Sequence, residues 1–233
     1  MGKVTAIILA AGKGNRMHSE VPKQFLELDG KPVLYYSLNA FEKSTVDDII
    51  LVTGKDDIAY CEKEIIHKYH FNKVRTVVEG GTERYWSVKN GLVAAKGAEY
   101  VLIHDAARPC VGKDIIERSI IEVMQNRSCT VGVPVKDTIK VVDSNNYGID
   151  TPSRDTLWQI QTPQCFQYSE IIEAYEKMEQ AKDTDITDDT MIMERYLGVK
   201  TKVILGDYCN IKITTPEDLN IAEIFLRKLE ESC

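Results

Sequence analysis

Short apolar runs alternate with longer amphipathic segments through roughly the first half of the chain, and this pattern limits the fold more than any other feature. The runs are rich in valine, isoleucine and leucine, which is typical of strands buried on both faces. The segments between them have helical spacing of apolar residues. The predicted strands cover 4–9, 48–54, 74–78, 100–104 and 129–135, and the predicted helices cover 33–43, 55–69, 86–96 and 112–125. The alternation predicts βαβ units and a mostly parallel sheet flanked by helices.

The alternation stops near residue 136, and a turn-rich segment follows. Two strand-like runs, 139–143 and 157–161, flank Asn145, Asn146 and Gly148, which predicts a β-hairpin arm at about 137–160. Because an isolated two-stranded ribbon is marginal in water, we expect the arm to pair with a second subunit in a two-fold dimer. Beyond the arm, helices are predicted at 168–182, 187–196 and 216–229, and a strand at 200–205. We therefore predict one Rossmann-like α/β domain over residues 1–233, with a protruding arm.

The segment after the first predicted strand carries glycines and cations. Gly12 and Gly14 allow backbone N–H groups to approach a ligand closely, and Lys13, Arg16 and Lys23 add positive charge. The segment is not a Walker loop, since Gly14 is not followed by lysine and a hydroxyl residue, and it lacks the third glycine of the dinucleotide fingerprint. It nevertheless predicts a phosphate-binding loop.

Polar or small residues also follow the other predicted strands. They are Gly54 and the segments 79–82, 104–109 and 136–138. Ligands of parallel α/β sheets bind beyond the carboxyl ends of the strands, so we expect these segments to share one site with the glycine-rich loop.

Composition excludes several classes of protein. The formal net charge of -7 argues against a general nucleic-acid surface, which requires a basic face. The six cysteines form no C-x-x-C pair and no paired spacing, so neither a zinc site nor a disulfide framework is predicted. The first apolar run is too short to span a bilayer and has no signal-peptide cleavage site. These features predict a cytoplasmic protein with no nucleic-acid or membrane partner.

Several motifs in chain order resemble one enzyme family. The pattern L-A-A-G-x-G-x-R-M followed by P-K-Q resembles the loop of nucleotidyltransferases that join a nucleoside triphosphate to a phosphorylated sugar or polyol. The fuller series is LAAGKGNRM, PKQF, GGTERYWSV, HDAARP, PVKDTIK, TPSRDTLWQIQTPQ, TDD and NIKITTPEDL. It resembles the 2-C-methyl-D-erythritol 4-phosphate cytidylyltransferases of the non-mevalonate isoprenoid pathway over essentially the whole chain. The D-ribitol-5-phosphate cytidylyltransferases are the alternative, but HDAARP and the R-x-x-L-W motif at 154–158 favour the first family.

The resemblance implies attack of a polyol-phosphate oxygen on the α-phosphorus of CTP, with release of pyrophosphate. It implies catalytic roles for Arg16, Lys23 and Lys212. It implies nucleotide contacts at Ala10, Ala11, Gly12, Gly14, Gly81, Thr82, Ser87, Asp105 and Ala106. It implies contacts with the polyol phosphate at Asp105, Arg108, Thr138, Arg154, Thr162 and Lys212. Thr138 and Arg154 would reach from the arm into the pocket of the neighbouring subunit.

A divalent cation, Mg²⁺ in the first instance, is expected with a nucleoside triphosphate. Asp105 is the candidate protein ligand, although most of the coordination would come from the CTP phosphates. Asp185, Asp188 and Asp189 form a second acidic cluster, which we interpret as a helix start because 187–189 can cap a helix and complement its dipole. Glu83, Tyr85 and Trp86 are likewise interpreted as helix-start and packing residues.

Three points stay open at the level of sequence. Thr82 stands where the resemblance predicts aspartate, so base selectivity depends on whether that contact is made by backbone or by side chain. A nucleotide sensor without catalytic activity is a second class of function, but it predicts loss of the charged loop, whereas Arg16, Lys23 and Lys212 are all present. A sugar nucleotidyltransferase that uses UTP or GTP is a third, and the arm motif makes it less favoured.

Overall fold

A seven-stranded sheet forms the centre of the computed structural model, which describes residues 2–12 and 21–231. From one edge to the other its strands are β11 (Lys202–Leu205), β7 (Ser128–Pro134), β10 (Trp158–Gln167), β6 (Tyr100–Asp105), β1 (Val4–Ala10), β4 (Asp48–Thr53) and β5 (Val74–Glu79). All of them run in one direction except β10, which is antiparallel to both of its neighbours. The predicted α/β, Rossmann-like architecture with a mostly parallel sheet is confirmed.

The central strands are apolar because helices cover both faces of the sheet. Successive residues of β1 point to opposite faces, so that Ile8 packs in one hydrophobic core and Ile7 in the other. Both side chains are fully buried. The helices of the described residues are α1 (Val33–Glu42), α2 (Ile58–Tyr60, continued by π-helical turns over Cys61–His67), α3 (Arg84–Ala94), α4 (Lys113–Asn126), α5 (Tyr168–Ala181), α6 (Asp189–Leu197) and α7 (Glu217–Glu231).

The two sides of the sheet are covered by different helices. Side chains of α1, α2 and α4 pack with Ile8, whereas side chains of α3, α5 and α6 pack with Ile7. The chain leaves β1 toward β4 on one side, and β6 lies on the other side of β1. Such a reversal of strand order opens a crevice at the carboxyl end of the sheet, where ligands of this architecture bind.

The predicted pairing within the arm is wrong. We expected 139–143 to pair with 157–161, but the hairpin is formed by β8 (Val141–Val142) and β9 (Gly148–Asp150). Residues 158–160 instead pair with Pro134, Val133 and Gly132 of β7, as the first part of β10. Pro163 has no N–H group to donate to a ladder. The sheet accommodates it through a register shift between Ile160 and Gln164.

Two local features, a turn and a helix start, have clear physical causes. Asp29 and Gly30 have positive φ angles of 47° and 75° and form the tight turn between β2 (Glu27–Leu28) and β3 (Lys31–Pro32). Asp188 caps α6, because its side chain accepts from the backbone N–H of Met191. The helix-start interpretation of the acidic cluster is therefore confirmed for Asp188.

Candidate active site

A cavity of about 810 Å³ lies at the carboxyl ends of β1, β4, β5 and β6. Segments that are far apart in the sequence contribute to its wall, as the topology predicts. The residues predicted for the site that line it are Ala10, Ala11, Gly12, Lys23, Gly81, Thr82, Ser87, Asp105 and Lys212. The structure thus brings the loop backbone, two of the predicted catalytic lysines and the predicted base-binding segment to one cavity.

Asp105 lies in the cavity wall between two cations. Its Oδ2 accepts a hydrogen bond from Lys212 Nζ at 2.6 Å, and its Oδ1 accepts one from Arg84 Nε at 3.2 Å. Burial works to raise the carboxyl pKa, but Arg84 and Lys212 hold the pKa of Asp105 far below its ordinary value. The carboxylate is therefore ionised at neutral pH.

The backbone of Asp105 is fixed from behind by Thr162 and His104. The N–H of Asp105 donates to Thr162 Oγ1 at 3.1 Å, and that hydroxyl lies 3.0 Å from His104 Nδ1. His104 Nε2 lies 3.2 Å from the carbonyl oxygen of Arg108, which can only accept, so Nε2 carries the proton. The Thr162 hydroxyl then donates to Nδ1. These buried groups fix the main chain where β6 meets the cavity.

The loop side of the cavity is fixed by the residues 23–25, which form a single 3₁₀ turn. Gln24 is buried, and its side-chain amide donates to the carbonyl oxygen of Ala10 at 2.6 Å. Lys23 Nζ donates to the carbonyl oxygen of Ile213 at 3.0 Å, directly beside Lys212. Two lysines that are far apart in the sequence therefore stand on neighbouring parts of one wall.

The opposite side of the cavity is closely packed backbone. The N–H of Gly81 donates to Ser87 Oγ at 3.0 Å. A Cβ atom at Gly81 would lie 2.2 Å from Cβ of Trp86, and one at Gly80 would lie 2.3 Å from Cβ of Ala11. Only glycine permits this close approach, which leaves flat backbone surface facing the cavity.

Other predicted site residues lie outside the cavity wall. Ala106 is buried with its N–H bonded to the carbonyl of Leu9, and Thr162 lies behind Asp105. Arg108 donates from Nη1 to the carbonyl of Asn210 at 2.8 Å, and burial lowers its pKa. Thr138 and Arg154 are exposed on the arm, where Arg154 donates to the carbonyl of Lys136. Gly14 and Arg16 fall outside the described residues.

Arg84 is the main residue that sequence reasoning missed. It lines the cavity, contacts Asp105, and forms two further hydrogen bonds to Asp189 at 3.0 and 2.9 Å. Burial alone would lower its pKa, but Asp189 and Asp105 raise it well above the ordinary value. The sequence signal was the arginine inside GGTERYWSV, but arginine is mostly exposed in proteins, so the residue alone does not indicate a site.

The described residues include no group of three or more histidine, cysteine, aspartate or glutamate side chains arranged to hold a metal ion. Among the carboxylates lining the cavity, Asp105 is already paired with two cations, and Glu83 is exposed. This donor set does not fit an ion held by the protein alone. It fits Mg²⁺ that arrives with a polyphosphate and keeps mostly phosphate and water ligands.

Among the helices that the structure describes, none combines the length and the apolar content required to cross a membrane.

His104 provides a pH test of this arrangement. Its ring is fully buried, and burial lowers the pKa of the imidazole to about 4 from 6.5. Between these values the unfolded chain binds a proton that the folded chain does not, so stability from the neutral ring is present above pH 6.5 and lost as the pH falls toward 4. We expect the free energy of unfolding to fall by about 2.5 kcal/mol from this residue between about pH 7 and about pH 4.5, measured by urea unfolding.

His104→Asn is the matched control, because asparagine can still accept from Thr162 but does not titrate. Only the wild type should lose this contribution at the lower pH. Its free energy of unfolding relative to that of the variant should therefore be about 2.5 kcal/mol lower at about pH 4.5 than at about pH 7. A difference that is the same at both pH values would contradict the proposed neutral, buried imidazole.

Comparison with known proteins places the chain in a family. Residues 4–228 match the family model described as 2-C-methyl-D-erythritol 4-phosphate cytidylyltransferase, IspD. Relatives of that name from Lachnospira eligens and Lachnoclostridium phytofermentans are 53% and 51% identical, and the alignments cover 96% and 99% of this chain and 99% of each relative.

Solved structures give the same result. The crystal structure of 4-diphosphocytidyl-2C-methyl-D-erythritol synthase from Anaerococcus prevotii superposes with a TM-score of 0.85 at 37% identity, covering 97% of this chain and 96% of that one. The 2-C-methyl-D-erythritol 4-phosphate cytidylyltransferase from Thermus thermophilus has a TM-score of 0.78 at 26% identity, covering 95% and 98%. The resemblance seen in the motifs is thereby confirmed, and the chain belongs to the 2-C-methyl-D-erythritol 4-phosphate cytidylyltransferase family.

Proposed function

We propose that the chain transfers the cytidylyl group of CTP to 2-C-methyl-D-erythritol 4-phosphate. The products are 4-diphosphocytidyl-2-C-methyl-D-erythritol and pyrophosphate. The observation that carries the proposal is the cavity wall in which Lys23 and Lys212 stand beside the backbone of 10–12, in a chain about half identical to full-length relatives of that name.

The reaction requires alignment and charge stabilisation more than covalent work by the protein. An oxygen of the polyol phosphate attacks the α-phosphorus in line, and the bond from that phosphorus to the oxygen bridging to the β-phosphate breaks. Negative charge grows on the α-phosphate oxygens and on the departing pyrophosphate. Lys23 and Lys212 are placed in the wall to stabilise it, and we assign the same role to Arg16 from the sequence.

For the nucleotide, we assign the triphosphate to the backbone N–H groups of 10–12 and of Gly14. We assign the cytosine to the surface formed by Gly81, Thr82 and Ser87, because its carbonyl and amino groups match backbone and hydroxyl partners. Ser87 Oγ already accepts from the Gly81 N–H, whereas Thr82 is exposed, so the Thr82 hydroxyl and the remaining main-chain groups of 81–82 are the surface that the base can contact. Asp105, at the end of β6, completes the nucleotide site, and its carboxylate can accept hydroxyl groups.

We propose Mg²⁺ as the cofactor, bound mainly by the CTP phosphates, with Asp105 as the candidate protein ligand in the described wall. When bound, the ion neutralises part of the phosphate charge. The pairing of Asp105 with Arg84 and Lys212 limits its capacity to ligate a cation, which is why the phosphates carry most of the coordination.

The polyol phosphate is assigned to Asp105, Arg108, Thr162 and Lys212 of one subunit and to Thr138 and Arg154 of another. Arginine offers a bidentate fork for phosphate, and lysine offers a point charge. The arm also exposes apolar side chains: Ile139, Val141, Val142, Tyr147 and Ile149 are 41 to 72% accessible. An exposed apolar ribbon is a liability in a monomer, so it supports a homodimer formed through the arm.

A cytoplasmic location and the absence of a nucleic-acid partner stay predictions from the sequence. The acidic net charge of -7 supports the second, since a phosphate backbone would be repelled by most of the surface. The cations that we assign to CTP are local to the cavity and work against that average charge.

Pyrophosphate release from CTP and Mg²⁺ tests the function. We expect turnover with 2-C-methyl-D-erythritol 4-phosphate and at least about a hundredfold less with D-ribitol 5-phosphate, because a site built for one polyol leaves its polar groups unpaired with the other. Arg16→Ala is the control that connects turnover to the glycine-rich loop. Turnover with ribitol phosphate alone would show that ribitol 5-phosphate is the acceptor. No pyrophosphate release with either acceptor would contradict the proposal.

A further inference from the structure

Asp189 is a carboxylate with no solvent exposure at the start of α6. Its Oδ1 accepts from Arg84 Nη1 at 3.0 Å and from the Tyr175 hydroxyl at 2.6 Å, and its Oδ2 accepts from Arg84 Nη2 at 2.9 Å. Its backbone N–H donates to Gln164 Oε1 at 2.9 Å, which fixes the start of α6 against β10. Both carboxylate oxygens are therefore held by protein groups.

Arg84 connects this buried carboxylate to the cavity. The two bonds to Asp189 use both terminal nitrogens, and the third nitrogen, Nε, donates to Asp105. Because the guanidinium group is planar, fixing two of its nitrogens also fixes the direction of the third. Arg84 and Asp105 line the cavity, whereas Asp189 and Tyr175 are not part of its wall.

Stability alone is a weak explanation for this chain of groups. Removing a carboxylate and a guanidinium from water costs about as much as their attraction returns, so buried ion pairs contribute little net stability. The arrangement does, however, define one orientation for Arg84 and keeps the charges balanced, with Asp189 and Asp105 against Arg84 and Lys212.

We propose that Tyr175 and Asp189 are positioning residues for the nucleotide site: they fix the Arg84 guanidinium and, through it, the Asp105 carboxylate in the orientation that receives CTP. This inference rests on the proposed function, in which Asp105 contacts the nucleotide. Neither residue touches CTP itself, because both lie behind the wall that Arg84 forms.

Tyr175→Phe is the sharpest test, since it removes the hydroxyl on Asp189 and keeps the ring that packs in the core. We expect the Kd of CTP to rise about tenfold, because a carboxylate that loses a buried partner lets Arg84 and Asp105 shift. At saturating CTP, kcat should fall by a smaller factor than the affinity does, because Lys23 and Lys212 keep their charges although the Asp105 partner of Lys212 can shift. Isothermal titration of CTP with Mg²⁺ and steady-state kinetics measure the two quantities.

Tyr196→Phe is the matched control. Its hydroxyl also donates to a carboxylate, Asp183 Oδ2 at 2.8 Å, and Tyr196 belongs to the same helix as Asp189. A purely structural role for Tyr175 predicts a lower melting temperature, by more than in Tyr196→Phe because Tyr175 and Asp189 are fully buried, and no change in CTP affinity. An unchanged Kd in Tyr175→Phe would overturn the inference.

Arg84→Lys separates orientation from charge. Lysine keeps the positive charge but cannot bond to Asp189 through two nitrogens while donating a third to Asp105. We expect it to weaken CTP binding by at least about tenfold, as Tyr175→Phe does. Affinity equal to that of wild type would show that charge alone is required, and would also overturn the inference.

Asp105→Asn distinguishes failure of this inference from failure of the proposed site. If Asp105→Asn weakens CTP binding and Tyr175→Phe does not, the inference alone is wrong. If Asp105→Asn binds CTP as wild type does, the assignment of Asp105 to the nucleotide is wrong, and the inference falls with it. If the wild type binds no CTP, both the proposed nucleotide site and the inference are wrong.

Discussion

Replacing Lys212 by methionine is expected to lower kcat for cytidylyl transfer by about a hundred- to a thousandfold. Lys212 Nζ lies 2.6 Å from Asp105 in the cavity wall, next to the carbonyl that Lys23 contacts. Methionine keeps most of the aliphatic stem and removes the charge together with the hydrogen bond to Asp105. The loss falls on kcat because the negative charge that Lys212 stabilises grows during the transfer and is smaller in bound CTP. Single-turnover kinetics with saturating CTP and polyol phosphate would measure it.

Lys177→Met is the control for loss of a lysine. Lys177 pairs with Glu173 on the exposed side of α5, and such surface pairs contribute little. Its kcat should equal that of wild type. If Lys212→Met retained kcat within about fivefold, the cation would not act on the transition state, and its role would be limited to holding Asp105.

Mixing two inactive variants is expected to restore activity, and this is the second large effect. If Arg154 completes the pocket of the neighbouring subunit, a heterodimer of Arg154→Ala and Lys212→Met contains one pocket with both residues intact. Random mixing makes half of the dimers mixed, each with one working pocket, so about a quarter of wild-type activity should return. Each variant alone should have at most about one hundredth of the wild-type activity.

Co-refolding or co-expression of the two variants, followed by the pyrophosphate assay, gives the result. The control mixes Lys212→Met with Lys23→Met, because both changes lie in the wall of a subunit's own pocket; that mixture should stay inactive. Arg154 acting within its own subunit predicts no restoration in either mixture. Sedimentation of the wild type as a monomer at micromolar concentration would likewise remove the basis for a shared pocket.

The parallel part of the sheet was predictable because its strands are buried on both faces. Residues such as Ile7 and Ile8 must both be apolar, and that requirement is visible in a single sequence. β10 was not predictable in the same way. Its polar residues gain partners that only the tertiary structure supplies, as when Gln161 donates to the carbonyl of Asp207 and Gln164 to Asp188. The local pattern therefore favoured a hairpin strand over a strand of the central sheet.

The candidate site was likewise predictable only in part. Its glycines and lysines are concentrated in short motifs, so the resemblance located nine of the wall residues. Arg84 was missed because its meaning depends on Asp105 and Asp189, which are 21 and 105 positions away in the sequence. Asp189 was interpreted as part of a helix start, which is correct for Asp188 but leaves out the buried carboxylate of its neighbour. Partner-dependent roles of this kind cannot be derived from spacing alone.

The contact between Lys23 and Ile213 joins positions 190 residues apart. During folding, such a contact closes a loop that contains every strand of the central sheet except β1, and the entropy of that closure must be met before the contact is gained. We therefore expect the part of the cavity wall that joins these two segments to form late in folding. On the proposed function, CTP bridges the two distant segments and binds only the finished topology. Each increase in its concentration then raises the free energy of unfolding, so the nucleotide serves as a reversible cross-link of the native chain as well as a substrate.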